Sequence, residues 1–100
     1  MTNSIRIKKG ITLKYKINEC LLKYNVLDHK LAMKMLPGLL GISRNTFHNY
    51  RKLVSGAKQD IPHEKVVMFE QLFGLKSGEL LNDRIQLDSL QSVLEAENAR

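Results

Sequence analysis

Apolar residues recur every three or four positions along most of this chain, the spacing that lines one face of a helix. Leu13, Ile17, Cys20, Leu21 and Tyr24 keep that spacing, with Lys14, Lys16, Asn18 and Lys23 elsewhere around the axis. They predict a first helix over residues 12–24, with Thr12 as its N-cap. Asp28 can cap a second helix, in which Leu31, Met35 and Leu39 form one row and Ala32, Leu36 and Leu40 the next. Pro37-Gly38 falls inside that pattern. A proline there removes a hydrogen bond to the carbonyl of Met33, so the helix either kinks or stops near Leu36 with Pro37 opening a fresh turn.

Gly41 ends this segment, Ser43 supplies the side-chain oxygen an N-cap needs, and a third helix is predicted over residues 44–54. Residues 55–60 are a loop by composition. Pro62 can open a fourth helix, where Val66, Phe69, Leu72 and Phe73, with Val67 and Met68 nearby, make a wide apolar stripe closed by Gly74. Ser77 caps a short fifth helix over residues 78–82, and Leu87, Leu90, Val93 and Leu94 keep helical spacing in the tail. The expected fold is all-α: a compact bundle of about five short helices with a C-terminal helical tail. It divides into a flexible basic arm (residues 1–10), a folded domain (11–83) and the tail (84–100). Phe47, Tyr50, Phe69, Leu72 and Phe73 are expected in its core rather than around a ligand.

Length and composition narrow this further. One hundred residues make one small domain, and an apolar fraction of 43% is ordinary for a folded chain. No apolar run approaches the ~20 residues of a membrane span. Residues 1–9 lack the apolar centre of a signal peptide, so no membrane association and a cytoplasmic location are expected. Cys20 stands alone, which excludes an internal disulfide, and its apolar neighbours suggest a buried, unreactive thiol. The net charge of +6 is unevenly spread. Residues 1–58 hold 12 Lys and Arg against 2 acids, whereas residues 59–100 hold 4 against 8. The first half suits a polyanion and the second does not. No nucleophile is paired with a base, and neither a phosphate loop nor a convincing carboxylate pair is present, so the chain is not expected to be an enzyme.

Candidate chemistry lies in the third helix. Phe47 and Tyr50 share one face, which leaves Arg44, Asn45, His48 and Asn49 on the other. Arg and Asn are the side chains shaped for paired hydrogen bonds to guanine and adenine edges, which makes Arg44 and Asn45 the candidate base readers. Ser43 can cap the helix and touch a phosphate, and Thr46 belongs to the same end. His48 and Asn49 lie one turn on, within reach of a base or a backbone oxygen. Arg51, Lys52 and Lys58 are expected near phosphates. Lys8 and Lys9 either add a contact or belong to a solvated arm, and His29 and His63 are surface residues. No second ligand stands near His48 at a metal-site spacing, so neither a metal nor a cofactor is expected.

Residues 33–52 resemble the helix-turn-helix of the phage repressor and Cro family. That twenty-residue pattern wants apolar side chains at its fourth, eighth, tenth, fifteenth and eighteenth places and glycine at its ninth. Leu36, Leu40, Ile42, Phe47, Tyr50 and Gly41 fill them. Ile61-Pro62-His63-Glu64-Lys65-Val66 and the stretch 72–81 are similar to the fourth and fifth helices of the same fold. Pro37 stands where the family has a small alanine, Met33 where it often has a phosphate-holding glutamine, and the family's Glu-x-Gly after the recognition helix is missing. The resemblance implies a lambda-repressor-like bundle that binds double-stranded DNA as a transcriptional regulator, with helix 44–54 in the major groove. It also implies a dimer on paired half-sites. Residues 85–94, with their leucine row, are the candidate homodimer contact, unless that row packs on its own domain. The acidic second half leaves another expectation open: a protein-interaction module, such as an antitoxin or adaptor, that keeps the helical fold.

Overall fold

The computed structural model describes residues 12–83 and 85–99; the arm, with Lys8 and Lys9, lies outside them. Among the described residues the fold is all-α, with five helices: α1 (Ile17–Leu21), α2 (Val26–Leu40), α3 (Arg44–Lys52), α4 (His63–Phe73) and α5 (Leu90–Asn98). No helix among the described residues is long and apolar enough to cross a membrane.

The first helix is much shorter than its periodicity predicts. Residues 13–15 are extended instead and form two isolated antiparallel bridges, Leu13 with Val54 and Tyr15 with Leu81. The Lys14 amide donates to the Leu53 carbonyl (2.8 Å) and the Lys16 amide to Leu80 (2.7 Å), while Ser55 and Asn82 donate back to Thr12 and Lys14. A leucine, a tyrosine and an isoleucine at 13, 15 and 17 keep a two-residue period, of which Leu13 and Ile17 also fit a helical one. Long-range backbone partners decide between them. Thr12 is therefore no helix cap; its hydroxyl meets that of Ser55.

α2 is capped by Asn25, whose side chain accepts from the Asp28 amide (2.8 Å), so Asp28 is a first-turn acid rather than the cap. The helix runs through Pro37 to Leu40, so it neither stops at Leu36 nor restarts. Its end is a Schellman turn. Gly41 takes φ +70°, its amide donates to Gly38, and the Ile42 amide donates to the Pro37 carbonyl at 2.9 Å. The Lys65 ammonium on α4 donates to the Leu40 carbonyl at 2.7 Å, closing a further free acceptor. α4 ends the same way at Gly74 (φ +70°), where Leu75 donates to Glu70.

The expected helix over 78–82 is absent, and residues 77–80 form turns. The buried Glu70 carboxylate accepts from the amides of Gly78 (2.9 Å) and Leu80 (3.1 Å), and Leu81 is drawn into its bridge with Tyr15. Amides held by a side chain and a distant backbone are not available for a helical ladder.

Tyr15, Ile17, Leu21, Leu36, Leu40, Phe47, Ile61, Phe69 and Leu80 form the core, and α5 adds nothing to it. Phe69 is the centre of the aromatic packing, 6.3 Å from Phe47 and 6.0 Å from Phe73 between ring centroids, with Tyr50 edge-on at 6.5 Å. Leu72, expected inside, is exposed instead, as is Tyr24.

Candidate nucleic-acid interface

α2 and α3 are joined by Gly41-Ile42-Ser43, and the left-handed glycine turns the chain sharply. Ile42 packs on the core while Ser43 starts α3. The Ser43 oxygen accepts from the Thr46 amide (3.0 Å), and its hydroxyl donates to the Thr46 oxygen (2.9 Å). The single proton of that hydroxyl is thus already engaged, which makes Ser43 a cap. Thr46 accepts from it and keeps its own O–H as the spare donor of this corner.

α3 ends at Lys52, two residues short of expectation, because Val54 turns out to pair with Leu13. Nine residues suffice to sort its faces. Phe47 is completely buried, and Tyr50 is half-buried against Phe69. Arg44, Asn45, Asn49 and Lys52 are exposed along the opposite side, with His48 half-buried between them. At 100° per residue these five positions fall within about 140° of the helix circumference. Arg44, Asn45, Asn49 and Lys52 have no side-chain hydrogen bond or ion pair to any described residue. Lys58 is likewise exposed and without such a partner, on the loop after α3. Thr46, Asn49 and Tyr50 also line a shallow depression of about 260 Å³ with Leu53, Gln59 and Asp60.

Arg51 departs from expectation. Its Nε donates to the Asn18 Oδ1 on α1 at 2.7 Å, and a terminal nitrogen lies 3.0 Å from His48 Nδ1. The guanidinium also lies over the Phe47 ring, 5.8 Å from its centroid, and burial lowers its pKa. A guanidinium can only donate, so Nδ1 of His48 accepts and its Nε2 carries the proton that faces away. Arg51 therefore braces α3 against α1 and orients His48. Sequence reasoning missed this role, since nothing local marks Asn18 as a partner 33 positions away.

Other cations of the first half are also committed internally. Lys14 donates to the carbonyls of Ala57 (3.0 Å) and Gln59 (3.2 Å) and pairs with Asp60, which also accepts from the Tyr15 hydroxyl. The hydrogen bond from Lys14 to Asp60 raises the Lys14 pKa and lowers that of Asp60. Lys16 donates to the carbonyls of Glu79 and Leu81. Lys14 and Lys16 fasten loops, then, whereas Lys52, Lys58 and Arg44 remain free to meet an anion. Cys20 is buried, and desolvation raises its thiol pKa, which makes it inert. Among the described residues no group of three His, Cys, Asp or Glu could hold a metal ion.

Comparison of the chain with protein-family models, curated proteins and solved structures finds no match.

Proposed function

We propose that this protein binds double-stranded DNA sequence-specifically as a transcriptional regulator, with α3 as a recognition helix in the major groove and α2-turn-α3 as a helix-turn-helix of the phage repressor and Cro kind. The observation that carries the reading is the outer face of α3. Arg44 and Asn45 are exposed in its N-terminal half, Asn49 lies one turn further on, and none of the three has a side-chain partner among the described residues, while Phe47 anchors the opposite side. Residues at the N-terminal half of a recognition helix are those that reach base edges. Arg44 reads guanine through O6 and N7, and Asn45 reads adenine. His48 offers its Nε2 proton, Thr46 its free hydroxyl, and Lys52 and Lys58 hold phosphates. Ser43 serves as cap and Arg51 as brace.

Selection of bound duplexes from a random pool, followed by titration of the selected site, tests this reading. Arg44→Ala should lose about 1–3 kcal/mol of discrimination at one base pair and keep its helical content. Unchanged sequence preference in that variant removes Arg44 from the site. A second reading, a protein-interaction module on the same fold, is favoured by the uncovered apolar row of α5. Titration with random duplex at two salt concentrations separates the two, because phosphate contacts make binding fall steeply with salt. Absence of any salt-sensitive binding selects the second.

A further inference from the structure

Arg44, His48 and Lys52 stand four apart on α3 and form one row of its outer face, with Asn45 and Asn49 in a second row beside it. The rows differ in chemistry. An asparagine amide both donates and accepts, whereas a guanidinium and an ammonium only donate. An imidazole is ordinarily the ambiguous member, since either ring nitrogen can carry the proton. Here the ambiguity is removed from behind. A terminal nitrogen of Arg51 lies 3.0 Å from His48 Nδ1 and has only protons to offer, so Nδ1 accepts. Nε2 then carries a hydrogen and cannot accept. Arg51 is itself fixed, by its Nε bond to Asn18 (2.7 Å) and by its place over the Phe47 ring. The His48 ring packs on the same phenylalanine, 5.8 Å between centroids, which limits its swing.

We propose, resting on the DNA-binding reading above, that Arg51 makes His48 a purine-selective reader whose one fixed Nε2–H donates to a purine N7 in the major groove. N7 is an acceptor on guanine and adenine alike. Cytosine presents a donor, its N4 amine, and thymine its C5-methyl group. A ring free to change tautomer can turn an unprotonated Nε2 to the cytosine amine and accept from it. The Arg51 contact withdraws that option. A single donor selects a purine without separating guanine from adenine, unlike the paired donors of Arg44. His48 lies one turn beyond Arg44, about 6 Å along the axis. That is close to two base steps of ~3.4 Å, so the purine falls about two base pairs from the guanine that Arg44 reads. Arg51 touches no base; it is a positioning residue for specificity.

The tautomer is read first, on the full chain without DNA, by long-range nitrogen–proton NMR of the imidazole. Wild type should show a protonated Nε2 and a hydrogen-bonded Nδ1. Arg51→Met, which keeps an apolar stem over Phe47, should return Nδ1 to the signal of a solvated ring, with circular dichroism verifying the fold. Duplexes selected from a random pool by the wild-type chain should carry a purine of either kind at one position near the Arg44 guanine. Replacing that purine by its 7-deaza analogue, which has carbon in place of N7, should weaken wild-type binding roughly 3–10-fold, the loss of one hydrogen bond. His48→Ala should not respond to the analogue, and Arg51→Met should admit cytosine at that position, both retaining the guanine preference set by Arg44. A wild-type ring protonated on Nδ1 alone, or with Nδ1 unbonded, overturns the proposal. So does a selected site that tolerates the 7-deaza analogue, or an Arg51→Met chain with its purine preference intact. A chain that selects no duplex sinks the DNA-binding reading and the purine rule together, whereas one that selects a site but ignores N7 sinks the purine rule alone.

Discussion

Replacing Asn18 by alanine removes the acceptor that holds Arg51 Nε at 2.7 Å across α1 and α3. A hydrogen bond to a charged group contributes about 1.5–3 kcal/mol, and the half-buried guanidinium can regain some hydration, so the lower part of that range applies. Asn18→Ala should therefore destabilise the fold by about 1–2 kcal/mol. For a domain of this size that lowers Tm by roughly 5–12 °C. Arg51→Ala should cost more, because it also removes the contact with Phe47 and leaves His48 Nδ1 without its donor. The double variant isolates the pair: a coupling of about 1 kcal/mol is expected from urea unfolding of wild type, both single variants and the double variant. The same variants bear on DNA binding. An Arg51 that grips a phosphate would reduce the salt slope when removed, whereas a bracing Arg51 leaves the slope unchanged. Additive single effects, within about 0.3 kcal/mol, together with a reduced slope for Arg51→Ala, would refute the bracing role.

Lys52→Ala is expected to weaken DNA binding evenly across sequences and to reduce the slope of log K against log salt by about 0.9, measured by fluorescence titration. Glu70→Ala leaves the amides of Gly78 and Leu80 without their acceptor, at a cost of about 1–3 kcal/mol for each one that stays buried. Hydrogen exchange should show Leu80 deprotected first, and unchanged exchange there would remove Glu70 from the turn. The Asp60 carboxyl is held below its ordinary pKa by its hydrogen bond from Lys14. A depressed carboxyl stabilises the fold above its unfolded pKa and stops doing so as pH falls through the folded one, so this contribution is present at neutral pH and lost below about pH 4. Asp60→Asn should flatten the acid side of the Tm-against-pH curve; an unchanged curve would show that the pair does not act on stability.

Much of the architecture was legible in the pattern of side chains, and the places where it was not have one cause. The end of α2 and the start of α3 could be read because their signals are local: Gly41 can take φ +70° without a Cβ penalty, and Ser43 reaches an amide three residues on. The outward face of α3 followed from Phe47 and Tyr50 lying three apart. Residues 12–16 were misread because Leu13 and Ile17 fit alternation and helical spacing alike over so short a run, and backbone partners 39 to 68 positions away settled the conformation. The helix expected over 78–82 was lost to Glu70, a carboxylate whose partners lie 8 and 10 residues on.

Sequence by itself therefore determined the helical class, the sharp turn into α3 and the two-sided character of that helix, since each depends on neighbours within one or two turns. Tertiary structure decided which of the many cations are free. It set Lys14, Lys16, Lys65 and Arg51 to work inside the fold and left Arg44, Lys52 and Lys58 without a side-chain partner among the described residues. A charge is available to a ligand only when no carbonyl, amide or carboxylate of its own chain lies within reach, and chain order does not show which groups folding brings together.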